Sequence, residues 1–417
     1  MTDAPEAPRA VAPHRPMDMG LEGVRGVATV FVGLSHLFLL NILAPVFHLP
    51  PLLRNIEAGH AGVLTFFVLS GYVISWTNTN PCTPAAVRSY ARRRCIRLVP
   101  IYLVAMLITL AAVRVSGIAE RPRTLIGSFL CLQNFNGYFG FSLSPPMVNL
   151  PLWSLNYELL YYALFVILWR RQPALRWVFG PAFLAGVLAW FVPSVMPLFI
   201  ASYACGWIFW AAGWWLAQQP TIDGSPDPVP LASWVLLIFA GHNIAGVNRI
   251  MNALHLFSDD SGIVSIGDLG LLPSILLVLA AVTHRRLPHR RIVEAAAWGL
   301  CLIPIAGMVW KGRLFWHGEW VVGTGTVALA ALLLPFRSTG WLRPFAWLGG
   351  ISYAFYVVHF PLLYLVRSLP LPPATWEGFT ERSLVWVALV LGLSWLLEKR
   401  FQPWVKATIL HSDKPPT

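Results

Sequence analysis

The sequence predicts an all-α, polytopic integral membrane bundle of about ten to twelve transmembrane helices, and three observations carry that expectation. Hydrophobic residues make up 57% of the 417 and charged residues only 12%, with a mean hydropathy of +0.63, outside the range of a soluble globular domain. Apolar stretches of about 17 to 25 residues, long enough to cross a hydrocarbon core of roughly 30 Å, recur from about Val24 to about Leu397. Lys and Arg fall mainly on alternate loops between those stretches, as expected when cytoplasmic loops retain positive charge.

Taken in order, the candidate spans are 24–43, 62–77, 97–114, 153–169, 175–193, 197–217, 231–247, 268–283, 292–310, 319–335, 349–367 and 383–398. The first reads as a retained helix, because its apolar run exceeds signal-peptide length and no small-residue cleavage site follows before His48. An even number of spans returns the C-terminus to the cytoplasm, where both termini are expected. Residues 1–17, rich in Pro and Ala and without apolar periodicity, read as a short disordered cytoplasmic tail. Residues 18–400 form the membrane domain and 401–417 a cytoplasmic C-terminal tail. Gln218–Pro230, with its Pro, Asp and Gly, is a solvated loop. No soluble catalytic domain and no internal repeat of the transporter kind is evident, so chemistry is expected in or beside the membrane.

The net charge of +12 raises nucleic acid as a partner, but position argues against it: 21 of the 30 Lys and Arg fall on the inside segments of this topology. The partner implied is membrane lipid. The five cysteines, Cys82, Cys95, Cys131, Cys205 and Cys301, have no paired spacing, and neither a disulfide framework nor a zinc site follows from them.

Ionisable residues inside apolar helices are costly and usually face a cavity or a partner. Arg25 and His36 in the first span, Glu158 at the outer end of the fourth and His359 in the eleventh stand out. Eleven residues separate Arg25 from His36, about three turns plus roughly 20°, so both lie on one helix face about 16 Å apart. Such a stripe suits an anionic donor held at the mouth of a route with a base waiting deeper. The alternative is a topological anchor and a hydrogen-bonded packing histidine.

Five segments in order bear on that choice: Leu21–Ala28 leading to His36, Phe66–Ile74, Arg92–Tyr102, Trp153–Glu158 with Tyr161 and Tyr162 following, and Leu348–Tyr353 with His359 beyond. Together they resemble the acyltransferase-3 family of integral membrane acyltransferases, over about Met19 to Arg400. One departure is that Glu158 is followed by Leu159, where many members carry a second acidic residue.

The resemblance implies acyl transfer from a cytoplasmic coenzyme A thioester, acetyl-CoA or another acyl-CoA, to a carbohydrate or glycolipid hydroxyl. Surface polysaccharide, lipopolysaccharide and lipid-linked sugar are the acceptors it suggests. His36 is then the candidate base, since its unperturbed pKa of about 6.5 suits proton transfer near neutral pH. Either it deprotonates the acceptor in one step or it carries the acyl group itself in two. Arg25 and Glu158 join it as catalytic candidates, Glu158 orienting the acceptor hydroxyl or holding His36 in a useful tautomer. Arg93 and Arg97, four apart in a cluster at a cytoplasmic junction, are candidates with Arg25 for clamping the donor's phosphates. A purely topological role is the alternative for the cluster. Trp153, Tyr157 and His359 are the substrate-side candidates. No metal-ligand set, GxSxG elbow or Gly-rich phosphate loop is present, so a metal-free catalyst is expected. A transporter or flippase, or a non-catalytic scaffold, are the competing classes.

Overall fold

The computed structural model describes residues 19–411 apart from 39–41, 44–48, 51–52, 54, 134, 137–141, 193–195, 223–227, 255–262, 316 and 371–374. The expected N-terminal tail, residues 1–17, lies outside the described residues, as does part of the Gln218–Pro230 loop. The architecture is the expected all-α bundle: α1 Met19–Phe38, α2 Gly59–Thr77, α3 Pro84–Ser116, α4 Pro122–Phe129, α5 Trp153–Arg171, α6 Leu175–Phe191, α7 Leu198–Ala217, α8 Leu231–Ile244, α9 Gly246–Ala253, α10 Leu272–Val282, α11 Arg290–Trp310, α12 Gly318–Leu332, α13 Arg343–Gly349, α14 Ser352–Arg367, α15 Trp376–Leu396 and α16 Gln402–His411. A two-residue antiparallel pair, Phe135–Asn136 with Ser142–Leu143, is the extended structure among the described residues. The C-terminal segment expected as a tail is helical over α16.

Among the described residues six helices are long and apolar enough to cross a membrane, or eight if each bent pair is one span. The expected stretches are all helical, but several fall outside that length-and-composition measure or bend. Leu175–Phe191, Ile266–Val282 and Gly318–Leu332 are apolar but short. The seventh stretch bends by 42° between α8 and α9, at Ala245 in the left-handed region (φ 49°). The eleventh bends by 64° between α13 and α14. Large apolar side chains such as Ile292, Ile303, Leu332 and Leu384 stand exposed on the outside of the bundle, a surface that suits lipid rather than water.

Helix α3 starts earlier than its apolar run. Thr83 accepts a hydrogen bond from the N–H of Ala86 (3.2 Å), with Pro84 at the first helical position, two strong start signals. Its 33 residues extend about 50 Å at 1.5 Å per residue, and its polar first half projects beyond a hydrocarbon core. The arginines from Arg88 to Arg97 therefore ride on one helix rather than in a junction loop.

Close helix crossings set the frame. A Cβ added to Gly71 of α2 would fall 1.9 Å from the Trp210 carbonyl oxygen of α7, and one on Gly213 of α7 would fall 1.9 Å from that of Val68. Only hydrogen fits where the backbones meet, the small-residue packing used by membrane helices. Helix α1 is held between α2 and α13. Apolar residues form two clusters, one around α1, α2 and α5–α8, the other around α3, α14 and α15, with Tyr353 and Tyr356 packed against both. The site lies on that seam.

Candidate active site

A cavity opens where α1, α2, α3, α5 and α14 converge. Each contributes polar side chains from one of the five sequence segments singled out above: Arg25, Ser70, Arg94 with Arg97, Ser154 with Glu158 and Tyr162, and Ser352 with Tyr353 and Tyr356. Helices antiparallel to one another bring the segments to a common level. Ser35 of α1 packs on Gly59 of α2, and Ala28 and Val32 lie against Gly62, so Ser70 is carried toward the Arg25 end.

Arginines wall the cavity. Arg25 pairs with Glu22 one turn earlier (3.0 Å). Arg97 donates to Glu398 and sits 5.4 Å above the Tyr353 ring. Glu398 also accepts from the Ala354 N–H (3.3 Å) at the start of α14; it belongs to a π-helical turn, Leu397–Phe401, of the kind that redirects side chains near functional sites. Arg94 differs from both. Its guanidinium lies 5.6 Å from the Tyr162 ring centre and 5.8 Å from that of Tyr90, while its Nε is buried without a hydrogen-bond partner among the described residues. A buried donor without an acceptor is costly, and an anion in the cavity would satisfy it.

Arg93, expected beside Arg97 in this role, points elsewhere: it donates to Ser89 Oγ (2.7 Å) and Asn78 Oδ1 (3.0 Å) and does not line the cavity. Glu158 does line it, accepting from Ser70 (2.9 Å) and from Tyr162. Of its two expected roles, holding His36 falls instead to another residue.

That residue is His359. Its Nε2 lies 2.9 Å from Nδ1 of His36, while its own Nδ1 lies 2.7 Å from the Tyr356 carbonyl and 3.1 Å from that of Phe355. A carbonyl oxygen only accepts, so Nδ1 of His359 carries hydrogen. In the neutral ring Nε2 must then accept, and the donor opposite it is Nδ1–H of His36. The free lone pair of His36 is therefore on Nε2, the configuration of a general base. His359 is completely buried, flanked by Phe355 and Phe360, and Trp386 donates to its carbonyl (2.8 Å), so the pair is rigidly held. Neither histidine lines the cavity itself; Tyr356, whose main-chain carbonyl faces His359, does line it, and its hydroxyl bonds Ser154 (2.7 Å) and the Pro151 carbonyl (2.6 Å).

The two aromatic candidates separate. Trp153 stacks on His60 (5.9 Å, 27°) near the opposite end of α2. Tyr157 is fully buried, stacked on Tyr203 at 4.0 Å and hydrogen-bonded to Ser202 (2.8 Å); it joins α5 to α7. Sequence reasoning assigned no role to Ser70, Tyr356 or Glu398, and within the arginine cluster it singled out Arg93 and Arg97 rather than Arg94. The signal for Arg94 was the Tyr90–Arg94–Arg97 spacing, which stacks one face of a helix only once the helix is known to start at Pro84.

The fold and site together are an apolar helical bundle of membrane type that sets an arginine-walled cavity beside a buried histidine pair. The acyltransferase domain family matches residues 19–399, and the chain belongs to that family. The chain is 29% identical over 197 residues to acyltransferase MdmB of Streptomyces mycarofaciens, a stretch covering 44% of this chain and 47% of that protein. The chain thus spans about half the length of that relative. No solved structure gives a significant match.

Proposed function

We propose that the protein is an O-acyltransferase of the bacterial inner membrane, moving an acyl group, acetyl first among the candidates, from cytoplasmic acyl-CoA to a hydroxyl of a surface polysaccharide, lipopolysaccharide or lipid-linked sugar. The observation that carries the reading is the convergence of five separate helices on one cavity, arginines on its wall and the His36–His359 pair beside Tyr356. Arg25, Arg94 and Arg97 bind the donor's phosphates, guanidinium being suited to bidentate contact with phosphate oxygens.

His36 Nε2 takes the proton of the acceptor hydroxyl as its oxygen attacks the thioester carbonyl. The new ester forms, the carbon–sulfur bond breaks, and the coenzyme A thiolate recovers the proton from His36. During the proton transfer His359 Nε2 accepts from His36 Nδ1–H and steadies the transient imidazolium. Ser70 and Tyr162 hold Glu158 within the cavity, where its carboxylate orients a hydroxyl.

Envelope glycans from cells with and without the gene, compared by mass spectrometry, test the reading. Acyl esters present only with the gene, and acyl-CoA consumed by purified protein, are the expected results. Unchanged glycans together with no thioester turnover would refute it.

A further inference from the structure

Three segments that no step above employs bring arginines together away from the donor cavity. His284–Arg286 follows the end of α10, Arg290 opens α11, and Arg337 lies in the connection between α12 and α13. His284, Arg285, Arg286, Arg290 and Arg337 line one cavity, and among the described residues no carboxylate lines it.

The backbone fixes this gathering. Ile222 N–H donates to the His284 carbonyl (2.7 Å) and Arg286 N–H to that of Pro220 (2.9 Å), so that Thr221 and Arg285 pair as a β-bridge. His284 and His289, on either side of the turn into α11, both hold left-handed backbone (φ 52°), uncommon for residues with a side chain. Arg285 donates to the Gln219 carbonyl (2.6 Å) and to the Tyr72 hydroxyl (3.3 Å). Arg290 pairs with Glu294 (3.2 Å) and lies 5.2 Å from the centre of the Trp234 ring. Arg286 and Arg337 are exposed and, among the described residues, have no ion-pair partner. Four guanidinium groups thus share one cavity with a single carboxylate, Glu294, paired to any of them among the described residues. Like charges so placed repel, and an anion between them relieves the repulsion.

The rest of the cavity is apolar, with Trp234, Leu277 and Leu287 in its wall. Ile292 and Phe336, large apolar residues close in sequence to Arg290 and Arg337, stand exposed. The helices whose ends meet here are apolar along their length. The arginines therefore sit where an apolar, lipid-suited surface gives way to polar chain, the level of lipid headgroups.

We propose that this cavity binds the phosphodiester of an anionic phospholipid, with Arg286 and Arg337 taking phosphate oxygens from two separate connections. Guanidinium suits that contact, since it meets phosphate bidentately. The acyl chains lie along the apolar wall and the exposed Ile292 and Phe336. A soluble phosphate would engage the arginines but leave the apolar wall unused, which favours the lipid. The site is distinct from the donor cavity: Tyr72, which Arg285 touches, does not line that cavity, although its neighbour Val73 does. The proposal holds whichever acyl donor and acceptor the enzyme uses.

The test uses the full chain purified in neutral detergent. Dioctanoyl phosphatidylglycerol and dioctanoyl phosphatidylcholine are titrated into wild type, the double variant Arg286→Gln with Arg337→Gln, and Arg291→Gln, an exposed arginine of the same turn that does not line the cavity. Inorganic phosphate and coenzyme A are titrated alongside. Wild type should bind the anionic lipid at least tenfold more tightly than the zwitterionic one and than inorganic phosphate. The double variant should lose at least tenfold of the anionic lipid's affinity, with coenzyme A affinity within twofold of wild type, and Arg291→Gln should lose less than twofold. Arg337→Gln alone serves if the double variant does not insert. An equal loss in Arg291→Gln would reduce the effect to general positive charge and overturn the site. Inorganic phosphate binding as tightly as the lipid, or a parallel fall in coenzyme A affinity, would place a soluble phosphate there and overturn the lipid assignment. Asp223 and Asp227, in the loop between the lining residues Ile222 and Pro228, lie outside the described residues; a wild type with no preference for the anionic lipid would assign the arginines to such carboxylates and overturn the proposal.

Discussion

Replacing His359 with Phe isolates what the histidine pair contributes. Phenylalanine keeps an aromatic ring between Phe355 and Phe360 but offers no acceptor to Nδ1–H of His36, now 2.9 Å from the His359 ring nitrogen. His36 keeps its contacts with the Val32 carbonyl and Phe360 but loses the partner that fixes its tautomer, and one buried hydrogen bond is lost. A buried donor left unsatisfied costs about 1–3 kcal/mol, so if that stabilisation is expressed in the transition state the rate falls about 5- to 150-fold. The loss is smaller than removal of the base itself, and coenzyme A affinity is unchanged, because His359 does not line the donor cavity. His359→Gln, whose side-chain carbonyl can still accept from His36, should recover part of the rate. Acyl-CoA turnover by purified variants matched for folded content reads all three. Wild-type turnover by His359→Phe, or equal loss in His359→Phe and His359→Gln, would refute the tautomer argument.

Other predictions follow from the same geometry. Arg94→Ala and Arg97→Ala should each weaken coenzyme A binding about tenfold or more, a charged hydrogen bond being worth about 1.5–3 kcal/mol, whereas Arg93→Ala should change it little; isothermal titration in detergent separates them, and an equal effect at Arg93 contradicts the cavity assignment. Gly71→Val should lower thermal stability, by about 1–3 kcal/mol or more, because the Trp210 carbonyl has no room to yield; a variant as stable as wild type would mean that α2 and α7 do not cross so closely. A cysteine introduced beside Arg286 should resist an impermeant thiol reagent applied from the periplasmic side, as a cytoplasmic loop must, and ready labelling would break the proposed topology.

Much of this arrangement was legible in the residues alone, and what was not has physical causes. The Arg25–His36 stripe follows from helical period, and the apolar segments mark where the helices run. Each apolar stretch is helical, but a run of apolar residues does not show whether its helix is short, as in α6 and α12, or bends, as between α13 and α14. Helical spacing places both Arg93 and Arg94 beside Arg97, four and three residues away, and does not show which of the two faces the cavity. The His36–His359 contact joins positions 323 apart, and the reach of Glu398 to Arg97 depends on a π-helical turn; neither leaves a local pattern. Tyr157 reads as substrate-facing by residue type, yet stacking on Tyr203 gives its ring to packing.

The most direct test of the account is acyl transfer by His36→Gln. Glutamine retains size and hydrogen bonding but cannot take a proton near neutral pH. Measured on protein matched to wild type in membrane abundance and thermal stability, turnover should fall about 100- to 10,000-fold, the usual cost of losing a general base, with coenzyme A still bound. Turnover near wild type would contradict the assignment of His36 as the base and leave the first-helix stripe a structural feature.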